Sequence, residues 1–256
     1  MERQSIPQLT TFPLGDKQDI IAKLQQEVYS LQRFKKSGDN PIGTFGLGVI
    51  EQSFPEKVFP VGAVHEFISY KQEEVSATNG FISGIIGHMM KSKGACLWIS
   101  ARRTVYPPAL KSFGISPERI IFIDVVKPKD VLWAIEEALK CGSVAAVVGE
   151  LSELNFTESR RLQLAVENSN VTGFIHRYQP RSENTVACLT RWKIKPFYSS
   201  VTDDMPGVGF PAWDVQLQKV RNGIPGRWYI TWDADSIMFM DKKESVTTEI
   251  QRRMVG

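Results

Sequence analysis

The sequence predicts an α/β fold: a mostly parallel sheet flanked by helices, extended by C-terminal antiparallel strands and preceded by an N-terminal helix. Two observations carry this. Continuous apolar runs of strand length ("GAVHEFIS", "ACLWIS", "IIFIDVV", "SVAAVVGEL", "VTGFIHRY") alternate with stretches of helical periodicity, the pattern of parallel strands covered on both faces by crossover helices. The last third ("NTVACLTRWKIKPF", "AWDVQLQKVRNG", "RWYITWDADSIMFM") alternates apolar and polar residues more and is punctuated by Asn222-Gly223 and Pro225-Gly226, which read as antiparallel strands and hairpins on the same sheet.

The elements follow in chain order. Residues 17–33 place Ile20, Ile21, Leu24, Val28 and Leu31 on one helical face, suited to packing on the domain's flank or docking to a partner. Residues 35–60, rich in Gly, Pro and Phe, read as a wrapping or linking segment. This divides the chain into an N-terminal helix and linker (1–58), a core domain (59–240) and a polar tail (241–256). After the first strand, a helix from near Ala77 to residue 93 buries Phe81, Ile82, Ile85, Ile86, Met89 and Met90, with Gly94 past its end. The second strand leads through a short helix around Pro108–Phe113 to the third strand, and Pro128 opens a helix through Cys141 that turns Val131, Leu132, Ile135, Ala138 and Leu139 inward. Trp133 interrupts that helix's polar face, either as a partner anchor or packed under a loop. The fourth strand precedes a helix capped by Thr157 and running to Ser169, then the fifth strand.

Composition sets the bounds. The chain has 256 residues, 42% of them hydrophobic and 23% charged, enough for one substantial core. A formal charge of +3 and pI near 8.7 permit nucleic-acid contact without the dense basic stripe of a dedicated binder. Cys96, Cys141 and Cys188 are unpaired in spacing, as in a reducing cytosol, and His65, His88 and His176 lack metal-ligand spacing. No segment has the apolar length of a membrane span and the first residues lack an apolar signal core, so the expectation is a cytoplasmic protein without a membrane partner.

The stretch from Ile68 to Gly80, "ISYKQEEVSATNG", sits between a strand and a helix, where a phosphate-binding loop belongs. Such a loop needs glycines that bring backbone N–H groups onto the phosphates, and a Lys followed by Ser or Thr. Here stand Lys71, Gln72, Glu73 and Glu74, with no glycine before Gly80, and two carboxylates would repel a triphosphate. Glu66, the one acidic residue of the first strand, shares a face with Val64 and Ile68 and reads as hydrogen-bonded in the interior or near the sheet's edge.

The order of elements resembles the RecA-like ATPase core, and residues 45–240 more closely resemble ImuA, a bacterial mutagenesis-associated family related to SulA. "FPVGAVHEF" (Phe59 to Phe67), "SFGISPERIIFIDVVKPKDVLWAIEEALKCGSVAAVVGEL" (Ser112 to Leu151) and "RNGIPGRWYITW" (Arg221 to Trp232) carry the resemblance. The chain departs from active RecA-type ATPases in three places: the phosphate loop is gone, the strand that should deliver a catalytic Glu ends in "WISARR", and Gly149 fills the expected Mg²⁺-supporting Asp position, with Glu150 one residue beyond. The resemblance implies a non-catalytic accessory protein of damage-induced translesion synthesis, without a cofactor, that binds an ImuB-like Y-family polymerase homologue and RecA or DNA; self-association as a homo-oligomer is a further option. A SulA-like inhibitor of a tubulin-like GTPase is the first alternative, and an ATPase with an unconventional phosphate loop using Lys71 or Lys91 the second.

Candidate binding residues are basic. Arg102 and Arg103 follow the second strand at the carboxyl edge of the sheet, where open α/β sheets bind ligands, and serve an acidic partner, DNA phosphates or a solvated surface. In "RWKIKPFY", Arg191, Lys193 and Lys195 project to one side of a strand and Trp192 and Ile194 to the other, as an amphipathic edge strand or a phosphate-tracking stripe to which Arg252 and Arg253 of the tail could add.

Overall fold

The computed structural model describes residues 45–91, 94–199, 209–233 and 238–241. Among these, strands β1 (Val64–Ser69), β2 (Cys96–Ser100), β3 (Ile120–Asp124), β4 (Ala146–Leu151), β5 (Thr172–Tyr178), β6 (Thr190–Phe197), β7 (Ala212–Val220), β8 (Gly226–Asp233) and β9 (Met238–Asp241) form one sheet in the order β3-β2-β4-β5-β1-β6-β7-β8-β9. β1 to β5 pair in parallel, and β6 joins β1 in parallel before β7, β8 and β9 continue antiparallel. The mixed sheet is thus as its sequence pattern requires, with one change. β6 is not an edge strand: it is the seam between the two halves, so it is buried on one face and carries cations on the other.

Helices α1 (Gln72–Met89), α2 (Pro128–Leu139) and α3 (Phe156–Ser169) cover the sheet. Strand alternation sends Phe67, Trp98, Val148, Phe174 and Trp192 to the α1 side, and Val64, Ile99, Val147 and Ile175 to the side of α2 and α3. Burying each such side chain contributes roughly 1.5–3 kcal/mol. Gly84 lets α1 approach the antiparallel half: a Cβ there would meet Phe239 at 2.5 Å and Trp232 at 2.9 Å.

Three boundaries differ from expectation for local reasons. α1 starts at Gln72 rather than near Ala77, because the Glu74 carboxylate in its first turn folds back to accept the Tyr70 and Lys71 N–H groups. α3 is capped by Asn155 rather than Thr157: the Asn155 side chain accepts the Glu158 N–H at 2.9 Å and Glu158 accepts the Asn155 N–H at 2.8 Å. Trp133 is 64% exposed and does not pack under a loop. Residues 45–60 wrap: Phe45, Leu47, Ile50, Phe54 and Phe59 are buried in the α1-side core. The helix expected over 17–33 and the tail with Arg252 and Arg253 lie outside the described residues.

Candidate functional site

The carboxyl edge of the parallel strands gathers the polar side chains that the core otherwise excludes. Its centre is the junction of β1 and α1. β1 ends at Ser69 and α1 begins at Gln72, so Tyr70 and Lys71 alone connect them. The Glu74 carboxylate folds back onto this connection and accepts the Tyr70 N–H at 2.8 Å and the Lys71 N–H at 3.4 Å. Free N–H groups at a helix N-terminus are what an anion seeks. Here the chain supplies its own anion.

Beneath this cap a chain of hydrogen bonds crosses the sheet on the α1 side. Ser69 Oγ bonds Thr78 Oγ1 at 2.9 Å and His176 Nε2 at 2.9 Å; His176 Nδ1 meets Asn79 Oδ1 at 3.1 Å. Asn79 Nδ2 donates to Thr104 Oγ1 at 2.9 Å, the Thr104 N–H to Glu150 Oε2 at 3.2 Å, and Trp98 Nε1 to Glu150 Oε1 at 2.6 Å. The network ties β1, β5, β4, β2 and α1 together through side chains that are nearly all buried. Burial lowers His176 to about 3 and keeps it neutral. Burial raises the Glu150 carboxyl, against the hydrogen bonds from Trp98 and Thr104 that lower it.

The register of β4 also corrects the sequence reading of its end. Gly149 faces α2, where a Cβ would collide with Ile135. A carboxylate at that position would point away from the α1 face. Glu150 points to that face instead, but both its oxygens already accept protein N–H groups. Ser100, level with Glu150 on the neighbouring strand, is buried and its Oγ has no hydrogen-bond partner among the described residues.

On the opposite face lies a buried ion cluster. Glu66, fully buried, accepts from Arg177 Nη1 at 2.7 Å and from Arg191 Nε at 2.6 Å. Both arginines also donate to carbonyls of the irregular segment joining β5 to β6: Arg177 to Ser182, and Arg191 to Glu183 and Asn184. Lys219 and Arg221 continue the pattern with Val186 and Ala187. A backbone without a ladder needs donors for its carbonyls, and four cations provide them. The interior alternative for Glu66 therefore holds. Arg177, not singled out from the sequence, is as buried as any side chain among the described residues. An arginine inside an otherwise apolar strand, facing an acidic residue on a neighbouring strand, was the available signal.

The other candidate residues separate. Trp192 and Ile194 are buried while Arg191, Lys193 and Lys195 project to the far face, as the alternation requires. Arg191 is committed to Glu66, and Lys193 pairs with Glu183 at 2.6 Å, which also accepts the Tyr70 hydroxyl at 2.7 Å. Lys195 is exposed. Arg103 pairs with Asp124 and lies 4.3 Å over the Phe122 ring. Arg102 is exposed beside it. Arg102 and Arg103 thus stand far along the edge from the β6 cations, separated by β4, β5 and β1. Among the described residues no group of three His, Cys, Asp or Glu side chains could hold a metal ion, and no helix is long and apolar enough to cross a membrane.

A mostly parallel sheet with this order, helices on both faces and an antiparallel extension defines the RecA-like recombinase fold. The crystal structure of the RadB recombinase superposes with a TM-score of 0.52, covering 79% of this chain and 99% of that one at 15% identity, a likeness of fold alone. Protein ImuA of Caulobacter vibrioides is 32% identical over 202 residues, spanning 74% of this chain and 83% of its own length. The chain belongs to the ImuA family. The family model described as "Cell division inhibitor SulA" matches residues 62–173. The cell division inhibitor SulA of Yersinia pestis is 26% identical over 116 residues, 45% of this chain and 68% of its own.

Proposed function

We propose that the protein is a cytoplasmic, non-catalytic accessory factor of SOS-type, damage-induced translesion DNA synthesis. It binds an ImuB-like Y-family polymerase homologue and brings it to RecA or DNA. Membership of the ImuA family and the RecA-like fold support the pathway. The single observation that supports a binding rather than a hydrolytic role is the Glu74 carboxylate seated on the N–H groups that a phosphate would use. Glu150 supports the same reading, since Trp98 and Thr104 occupy its oxygens, and "WISARR" supplies no carboxylate base after β2. The alternative of a working ATPase through Lys71 or Lys91 loses ground for the same reasons. Deletion of the gene should lower mutation frequency after ultraviolet damage; an unchanged frequency in an otherwise inducible strain would overturn the proposal.

The match of residues 62–173 to the SulA model favours a second reading, an inhibitor that caps a tubulin-like GTPase. Overexpression separates the two: filamentous cells support the inhibitor, and normal division supports the mutagenesis factor.

A further inference from the structure

Every exposed tyrosine and phenylalanine among the described residues lies at one edge of the sheet: Tyr70, Tyr106, Phe156, Tyr198 and Phe210. Topology puts them there. Tyr70 follows β1, Tyr106 lies in the loop after β2, and Phe156 opens the helix after β4. Tyr198 follows β6, which runs parallel to β1, and Phe210 precedes β7, whose Ala212 stands opposite Phe197. Exposed aromatic rings gathered on one edge are the composition of a protein interface rather than of an ordinary soluble surface.

At the β2–β3 end this edge is also charged and held rigid. Thr104 is fixed by Glu150 and Asn79, Val105 is buried, and the Val125 N–H donates to the Ser100 carbonyl at 2.8 Å. The two loops therefore present Arg102, Tyr106 (69% exposed), Val126 (92% exposed) and Lys127 outward from anchored backbone. Arg and Tyr on preordered loops bind at low entropic cost. Asp124 pairs with Arg103, and Lys129 and Asp130, exposed in the first turn of α2, offset each other in sign, which leaves Arg102 and Lys127 to set the sign of the patch. Two such cations are too few to track a phosphate backbone.

We propose that this carboxyl edge is a protein-docking surface whose β2–β3 end takes an acidic segment of the partner, its carboxylates on Arg102 and Lys127 and its aliphatic side chains against Tyr106 and Val126. The inference rests on the reading of the protein as a binding platform and says where the platform is. The test is selection of a phage-displayed random peptide library on the purified full chain, followed by anisotropy titration of the enriched peptides. Enriched sequences should combine acidic and aliphatic residues. Arg102→Glu and Tyr106→Ala should each weaken them about tenfold or more, with thermal melts unchanged, and Ile224→Ala, in the β7–β8 turn at the opposite edge, should leave them bound. No enrichment, basic peptides, insensitivity to both edge variants, or displacement by oligothymidylate would each overturn the proposal. So would a dimer of the wild type, seen by sedimentation, that Tyr106→Ala dissociates, because the edge would then be covered by a second copy. Calorimetry with the ImuB-like protein separates this from the proposed function. Wild-type affinity in Arg102→Glu sinks the docking site alone; no binding by the wild type, with peptides behaving as described, sinks the partner alone.

Discussion

The Glu74 carboxylate accepts the backbone N–H of Tyr70 at 2.8 Å, four residues back across the start of α1. This one contact explains why α1 begins where it does. A carboxylate in the first turn is favoured by the helix dipole and closes the cap. It also occupies two of the backbone donors that an exogenous anion would use.

Replacing Glu74 by Ala should cost stability in the range of a lost cap, about 1 kcal/mol. Urea denaturation followed by circular dichroism would show it as a lower midpoint at unchanged slope. No loss would mean that the cap is not what starts the helix at Gln72.

Glu66→Gln removes the charge that two buried arginines share. Leaving Arg177 and Arg191 uncompensated should cost about 3–5 kcal/mol and loosen the segment their guanidinium groups hold. Trypsin should then cut after the exposed Arg181 well before the rest of the domain opens. Equal cleavage rates at Arg181 in variant and wild type would contradict the pinning.

Acid should destabilise the fold through its buried histidines. Burial lowers His176 to about 3 and His65 to about 4, the latter against a hydrogen bond to the Pro60 carbonyl that raises it. Above the unfolded value of 6.5 both are neutral in either state, so their burial costs no proton. As pH falls from 6.5 toward 4 and 3, the unfolded chain takes up protons that the folded protein refuses, and stability declines. The loss is roughly 2 kcal/mol per histidine between pH 6.5 and 5. Glu150, raised by burial, works the other way by taking a proton in the folded state, and trims the loss. Urea midpoints at pH 7.5 and 5.0 would read the difference, and midpoints that coincide would contradict neutral burial.

The thiols should divide by burial. Desolvation pushes Cys96 and Cys188 up to about 12, whereas Cys141 is exposed. Maleimide should modify the native protein at Cys141 and reach the other two only in denaturant, as intact-mass spectrometry would show.

Most of the architecture was legible in the sequence because burial on both faces leaves a strong mark: β1, β2, β4 and β5 are predominantly apolar runs of strand length, and the helical stripes of α1 and α2 face where their spacing puts them. Caps were harder to read. Asn155 and Thr157 are both N-cap residue types, Asn the stronger, and the reciprocal bonds between Asn155 and Glu158 decide between them. The polar network was invisible for a different reason. Ser69, Asn79, Thr104, Glu150 and His176 are scattered along the chain, and strand register brings them together. The same holds for Glu66, Arg177 and Arg191, where the basic stripe read along β6 proved to spend its first cation on an internal partner.

The central claim is that a RecA-like scaffold here binds partners and not nucleotide. Titration of the purified protein with a fluorescent ATP analogue in the presence of Mg²⁺ tests it most directly. The structure predicts no saturable signal at concentrations up to the millimolar range; a dissociation constant tighter than about 1 mM, roughly −4 kcal/mol, displaced by unlabelled ATP, would contradict it.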